Sequence, residues 1–170
     1  SVMPYYSIPK GITSEDVGAG YNKEIITGIL RERYDFDGII CTDWAIISDR
    51  KILGILFKPA SAHGVENLNK EERLIKIIDA GVDMIGGEEL SDELAELIKT
   101  GKIDEFRIDQ SLKRILRQKF KLGLFDNPYL NKDNLDALNN DFFIQKGIEA
   151  QRKSLVLLKN KDKILPLKPG

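Results

Sequence analysis

The sequence predicts an α/β fold, because short apolar runs that suit buried strands alternate with segments of helical periodicity. The strand candidates are "SVMPYY", "GIICTDW" and "VDMIGGE", and an amphipathic segment follows each of them. Such alternation is typical of parallel strands joined by right-handed crossovers. About three strand–helix units precede residue 126, too few to close a barrel of eight strands. The pattern alone therefore fits either a small open α/β domain or the tail of a βα barrel.

The first half of the chain contains two strands, one helix and a long connection. "SVMPYY" leads through turn-rich residues 8–20 to a helix in "NKEIITGILRERY", where Asn22 is the expected N-cap. The second strand, "GIICTDW", follows directly. Residues 45–66 then show little periodicity, so we expect a long loop with short helical pieces.

The second half of the chain is mostly helical. Asn69, with a glutamate three residues later, and Gly81 predict the two ends of a helix in "NKEERLIKIIDAG". The strand candidate "VDMIGGE" comes next, then "SDELAELIKTG" with Ser91 as its cap and "RIDQSLKRILRQKFKLG" with Asp109 as its cap. After the turn-rich "LFDNPYLN", we expect a helix around 142–153 and then a strand in "SLVLLKN".

Composition argues against several classes of partner and cofactor. The 26 basic and 27 acidic residues give a net charge of −1, so we expect no nucleic-acid partner. No apolar run approaches the roughly 20 residues that span a bilayer, and we expect no membrane partner. The lone Cys41 and the lone His63 exclude an internal disulfide and argue against a histidine metal site. The opening "SVM" suggests a piece of a longer protein, which leaves its compartment unassigned.

The predicted strand ends bring together residues that suit carbohydrate chemistry. Tyr6 follows the first strand, Asp43 and Trp44 end the second, and Glu88 or Glu89 ends the third. The carboxyl ends of parallel strands form the site in α/β folds. Carboxylates can act as acid, base or nucleophile on a glycosidic bond, and aromatic faces can stack on sugars.

The same residues also have plainer interpretations. Asp43 could cap a short helix that begins near Trp44, since aspartate is a preferred cap. Trp44 and Tyr6 could be packing residues, and at least one of Glu88 and Glu89 could simply be solvated. The pattern by itself leaves these alternatives open.

Several segments together resemble glycoside hydrolase family three, the β-glucosidase and exo-glycosidase group. They are "SVMPYYS", "NKEIITGILRERYDFDGIICTDW", "AGVDM", "RIDQSLKRILRQKFKLGLFDNP" and "AQRKSLVLLKNKDKILPL", in the order of that family. The resemblance implies that Asp43, in the family's "(S/T)DW" motif, is the nucleophile of a retaining mechanism, with Tyr6 and Trp44 beside it. It implies a β-glucoside or oligosaccharide substrate and no cofactor.

The resemblance also implies a domain organisation. Residues 1–125 would be the C-terminal portion of a (β/α)8 TIM-type barrel, and 126–170 a linker and the start of a second α/β sandwich domain. The family's acid/base usually lies in that later domain, which leaves Glu88 as a possible local partner or substrate ligand. An incomplete barrel is expected to be inactive alone and to need the remainder of its own chain or a homo-oligomer partner.

Two rival functions stay open at this point. One is a non-catalytic carbohydrate-binding or interaction module that keeps the motif as a relic. The other is a glycoside phosphorylase, because related enzymes can use phosphate in place of water.

Overall fold

A computed structural model describes residues 1–130, 135, 138 and 140–167. The chain forms two compact units, Ser1–Phe125 and Asp126–Gly170. The barrel and sandwich assignments of these two stretches stay predictions. Within the described part of the chain, no helix has the length and apolarity needed to cross a bilayer.

Three parallel segments form the centre of the first unit. Val2 pairs with Ile40, and Cys41 pairs with Met84, both in parallel orientation. The Val2 N–H donates to the Ile39 carbonyl at 2.9 Å, and the Met84 N–H donates to the Ile40 carbonyl at 3.0 Å. We call these three segments the parallel ladder. It confirms that the three apolar runs lie side by side, with "GIICTDW" in the middle, but in the described residues they meet only at isolated bridges and none forms the continuous strand that we expected.

Helices pack around the ladder in the order that the sequence predicts. They are a 3-10 turn Ala19–Tyr21, a π-helix Glu24–Arg33, and the α-helices α1 Lys70–Ala80, α2 Ser91–Lys99 and α3 Glu105–Lys121. Their apolar faces and the ladder share one hydrophobic core. Its most completely buried aliphatic side chains are Ile26, Ile40, Ile47, Leu74, Ile77 and Val82.

Two of the predicted helix starts are confirmed. The Asn22 carboxamide oxygen accepts the Ile25 N–H at 3.1 Å at the entry to the π-helix. Asn69 and Glu72 form a reciprocal capping box at the start of α1, and Gly81 ends that helix with a φ of 111°. Glycine adopts this left-handed conformation without a steric penalty.

The other two predicted caps are wrong. Ser91 is the first residue inside α2, and the buried Leu90 occupies the N-cap position without a side-chain hydrogen bond. Helix α3 begins well before Asp109, because Asp104 is extended and its carboxylate accepts the Phe106 N–H at 3.0 Å. Burial sets the start of α2, and an earlier aspartate with the same capping chemistry sets the start of α3.

The connection after the second strand is not the helical loop that we expected. It contains an antiparallel hairpin of β1, Arg50–Ile52, and β2, Ile55–Lys58. Leu53 and Gly54 form its two-residue turn with φ values of 50° and 80°. Positive φ at both central residues matches the right-handed twist of paired strands.

One buried carboxylate anchors the middle of the parallel ladder. The Asp83 side chain is 0% exposed, and its Oδ2 accepts the Arg31 guanidinium at 2.5 Å and the Ile40 N–H at 2.9 Å. Its Oδ1 accepts the Ser111 hydroxyl and the Arg114 guanidinium, both at 2.9 Å. Asp83 therefore joins the π-helix, the middle ladder segment and α3.

The second unit contains one long helix. Helix α4, Asp141–Ser154, confirms the helix expected around 142–153. The strand predicted in "SLVLLKN" is wrong, because residues 155–160 are irregular and lead into a 3-10 turn, Lys161–Lys163. No strand is present in the described residues of this unit, so the apolar run has no edge there to pair with.

Candidate active site

Asp43 lies at the carboxyl end of the middle ladder segment. The preceding residue, Thr42, is fully buried, and its hydroxyl accepts the Gly86 N–H at 2.8 Å, which fixes the strand end. The Asp43 carboxylate is half-buried in a small cleft that Tyr5, Tyr6 and other residues line. The residues that follow Asp43 form a turn and not a helix, so the capping interpretation is wrong.

Tyr6 comes to the same place from the first ladder segment. Its hydroxyl donates to the Trp44 carbonyl at 2.7 Å. Burial raises the pKa of Tyr6 above its ordinary value, and the neighbouring Asp43 carboxylate raises it further. The phenol therefore stays protonated beside the carboxylate, so the structure brings these two predicted site residues together.

Trp44 stands at the rim and is 60% exposed. Its ring packs against the backbone of Gly87, where an added methyl group would overlap the indole atoms of Trp44. The Arg50 guanidinium carbon lies 5.6 Å from the ring centroid, and Arg50 Nη2 donates to the Gly87 carbonyl at 2.9 Å. These contacts fix the indole while leaving much of it open to solvent.

The Glu88 carboxylate is engaged with backbone groups. Its Oε1 accepts the Ile47 N–H at 2.9 Å, and its Oε2 accepts the Ser48 N–H at 2.8 Å. Glu88 thus braces the residues that follow Asp43, and its role as a substrate ligand stays a prediction. The neighbouring Glu89 is exposed ahead of α2.

Further side chains hold the backbone of residues 44–48, which we call the 44–48 loop. The Tyr21 hydroxyl donates to the Ile46 carbonyl, and Arg73 Nη1 donates to the Ile47 carbonyl at 3.1 Å. Sequence reasoning missed both Tyr21 and Arg73. No sequence signal marks them, since each acts on a main-chain oxygen that only the fold brings near.

The chemistry available at this site is that of a carboxylate on a rigid support. Among the described residues, no group of three or more histidine, cysteine, aspartate or glutamate side chains is placed to hold a metal ion. A half-buried carboxylate beside a protonated phenol and an exposed indole suits nucleophilic attack on a sugar.

The sequence matches a known family over most of its length. Residues 1–118 match the glycosyl hydrolase family 3 N-terminal domain. The chain is 48% identical over 171 residues to the β-glucosidase C of Emericella nidulans, covering 99% of this chain and 28% of that protein. It is 40% identical over 185 residues to a periplasmic β-glucosidase/β-xylosidase of Dickeya chrysanthemi, with the same coverage of both chains. The chain thus spans little more than a quarter of these relatives.

Solved structures resemble this chain in fold as well. The crystal structure of a β-glucosidase from Listeria innocua in complex with glucose superposes with a TM-score of 0.63 at 32% identity, over 89% of this chain and 20% of that one. A mutant of the same enzyme in complex with laminaribiose gives a TM-score of 0.60 at 29% identity, over 88% and 20%. With the family match, these neighbours indicate a TIM-barrel-type domain.

Proposed function

Because the chain belongs to glycosyl hydrolase family 3, we propose that it carries the nucleophile of a retaining β-glycosidase of the β-glucosidase type. The observation that carries this proposal is the position of Asp43, half-buried at a strand end and followed by a braced loop. The names of the relatives favour hydrolysis over the binding-module and phosphorylase alternatives. The complexes of the Listeria innocua enzyme with glucose and laminaribiose support a β-glucoside substrate.

The proposed reaction has two steps. In the first, an Asp43 oxygen bonds to the anomeric carbon while the bond from that carbon to the leaving-group oxygen breaks, and an acid protonates the departing oxygen. In the second, water attacks the anomeric carbon and the ester bond to Asp43 breaks. The group that acted as the acid in the first step now acts as the base and accepts a proton from the water. The sugar leaves with its original anomeric configuration, and Asp43 regains its free carboxylate.

The residues around Asp43 have supporting parts in this proposal. The Tyr6 hydroxyl stays protonated and can hold the 44–48 loop through the Trp44 carbonyl without competing as a base. The exposed Trp44 indole offers a face for the C–H groups of a sugar. Glu88 is poorly placed as the acid, because both of its oxygens face backbone N–H donors, so the acid/base is proposed to be another carboxylic acid.

We propose that residues 1–125 supply part of a TIM-type barrel and that residues 126–170 form a linker and the start of a second α/β domain. The exposure of large apolar side chains on α3, including Phe106, Leu112 and Phe120, supports this arrangement. Monomeric domains rarely leave such patches uncovered. Further polypeptide or a second copy would cover this face, and these 170 residues alone would be inactive.

A mechanism-based inhibitor tests the proposal directly. The intact protein is incubated with 2-deoxy-2-fluoro-β-D-glucosyl fluoride, digested and analysed by mass spectrometry. We expect a covalent fluoroglucosyl adduct on the peptide that contains Asp43, and no adduct in the Asp43→Asn variant. Hydrolysis of a β-glucoside without any adduct on this peptide would refute the assignment of Asp43 as the nucleophile. Saccharide binding without hydrolysis would refute the proposal that the protein is a glycosidase.

A further inference from the structure

The base of the hairpin carries two cations next to the candidate site. Arg50, on β1, lies over the Trp44 ring, and Lys58, on β2, has its Nζ 5.6 Å from the centroid of the Tyr6 ring. The Tyr6 side chain and Asp43 line one cleft, and the Tyr6 hydroxyl donates to the carbonyl of Trp44, the residue that follows Asp43. The hairpin therefore places one positive charge above each aromatic residue that flanks the proposed nucleophile.

These two cations occupy opposite positions on the two strands of the hairpin, next to a register irregularity between Arg50 and Lys51. Arg50 and Lys58 are partners in the antiparallel register. Like charges directly opposite each other destabilise a strand pair. In the described part of the chain, neither cation forms an ion pair with a carboxylate. Unfavourable local arrangements of this kind occur mainly at functional sites, so the repulsion between Arg50 and Lys58 indicates a function. A bound anion would offset that repulsion.

The position of the cations indicates which part of a substrate they would meet. They come from a hairpin whose remaining described side chains, Leu53, Ile55 and Phe57, are largely exposed, and Lys58 is exposed as well. In the proposed reaction, the leaving group departs toward solvent and water takes its place. The part of the substrate next to the hairpin is thus the leaving group.

We propose that Arg50 and Lys58 are specificity-determining residues that favour β-glucosides with a carboxylate on the leaving group. This inference rests on the proposed function and adds the chemical class of the substrate. The guanidinium can bind a carboxylate through two parallel N–H groups, and the ammonium contributes a point charge. The aromatic rings beneath both cations restrict their positions, which reduces the entropy lost on binding.

Matched substrates and variants of the intact protein test this specificity. The substrates are 4-carboxyphenyl β-D-glucoside and its neutral analogue 4-carbamoylphenyl β-D-glucoside, and the readout is the ratio of their kcat/KM values. We expect Arg50→Gln and Lys58→Gln each to lower this ratio by about threefold to fivefold, and the double variant by about tenfold. Lys113→Gln, which removes an exposed charge from α3, should leave the ratio unchanged. Raising the salt to about 1 M should shrink the wild-type preference, because the Debye length falls to about 3 Å.

The possible outcomes separate this inference from the proposed function. Hydrolysis of both substrates with the same ratio in the wild type and the double variant would overturn the specificity role alone. If the double variant instead loses activity on 4-nitrophenyl β-D-glucuronide relative to 4-nitrophenyl β-D-glucoside, the cations face the sugar and the leaving-group assignment is wrong. Failure to hydrolyse any β-glucoside would overturn the proposed function, and this inference with it.

Discussion

Replacing Asp83 with asparagine should strongly destabilise the first unit, although the two side chains have nearly the same shape. Each carboxylate oxygen of Asp83 accepts two hydrogen bonds, and two of the four donors are arginines. An asparagine amide must turn its own N–H groups toward two of those donors, whichever way it is oriented. It also leaves the largely buried Arg31 without its ion-pair partner, and it leaves Arg114 with only the exposed Asp37 carboxylate.

The expected loss in the free energy of unfolding is about 3–5 kcal/mol, the usual cost of breaking a buried ion pair by removing one partner. Domains are stable by only about 5–15 kcal/mol, so a change of this size is readily measured. Urea unfolding of the wild type and the variant, followed by circular dichroism, gives the difference from the two midpoints.

Asp37 provides a matched control, because its carboxylate also contacts Arg114 but is 57% exposed. Asp37→Asn should cost less than about 1 kcal/mol. If Asp83→Asn destabilises the protein no more than Asp37→Asn does, the buried carboxylate is not the anchor of the ladder.

Two further predictions concern the surroundings of Asp43. Burial raises the pKa of Tyr21 above its ordinary value, so its contribution to stability is complete below pH about 10 and is lost as the pH rises toward the folded-state pKa. Tyr21→Phe should cost about 1 kcal/mol of stability at pH 7 and should reduce the loss of stability between pH 7 and 10.5, measured by thermal unfolding. The control is Tyr129→Phe, because Tyr129 is exposed. An unchanged loss of stability in Tyr21→Phe, or the same effect in the control, would contradict this prediction. Gly87→Ala should lower the melting temperature more than Gly101→Ala does, because both glycines have positive φ (64° and 71°) but only Gly87 contacts Trp44. Equal shifts in the melting temperature would contradict a stabilising contact between Gly87 and Trp44.

The sequence predicted the elements whose signals are local. The capping box at Asn69 and the glycine at position 81 fix both ends of α1 through bonds between near neighbours. The hairpin has a weak local signal, since the pair Leu53 and Gly54 separates "RKI" from "ILFK". The start of α3 could not be chosen from sequence, because Asp104 and Asp109 have equal capping chemistry and only packing separates them.

In the candidate site, too, some residues could be predicted from the sequence and others could not. Asp43 and Tyr6 were identified from strand-end positions and the family-like segments, and the fold brings them together. The bracing by Tyr21 and Arg73 could not be predicted, because these side chains bind backbone carbonyls more than 20 positions away. Tyr21 lies in the 3-10 turn and Arg73 in α1, so only the packing of these two elements against the loop brings such groups into reach.

The contacts that hold the 44–48 loop determine which positions tolerate substitution during evolution. The side chains that hold it bond to main-chain N–H and carbonyl groups, which every residue except proline supplies in full. Substitutions at Ser48 would therefore keep the bond to Glu88, whereas changes at Glu88, Tyr21 or Arg73 would release the loop. Ser48 is thus freer to change than Glu88, the distant residue that holds it.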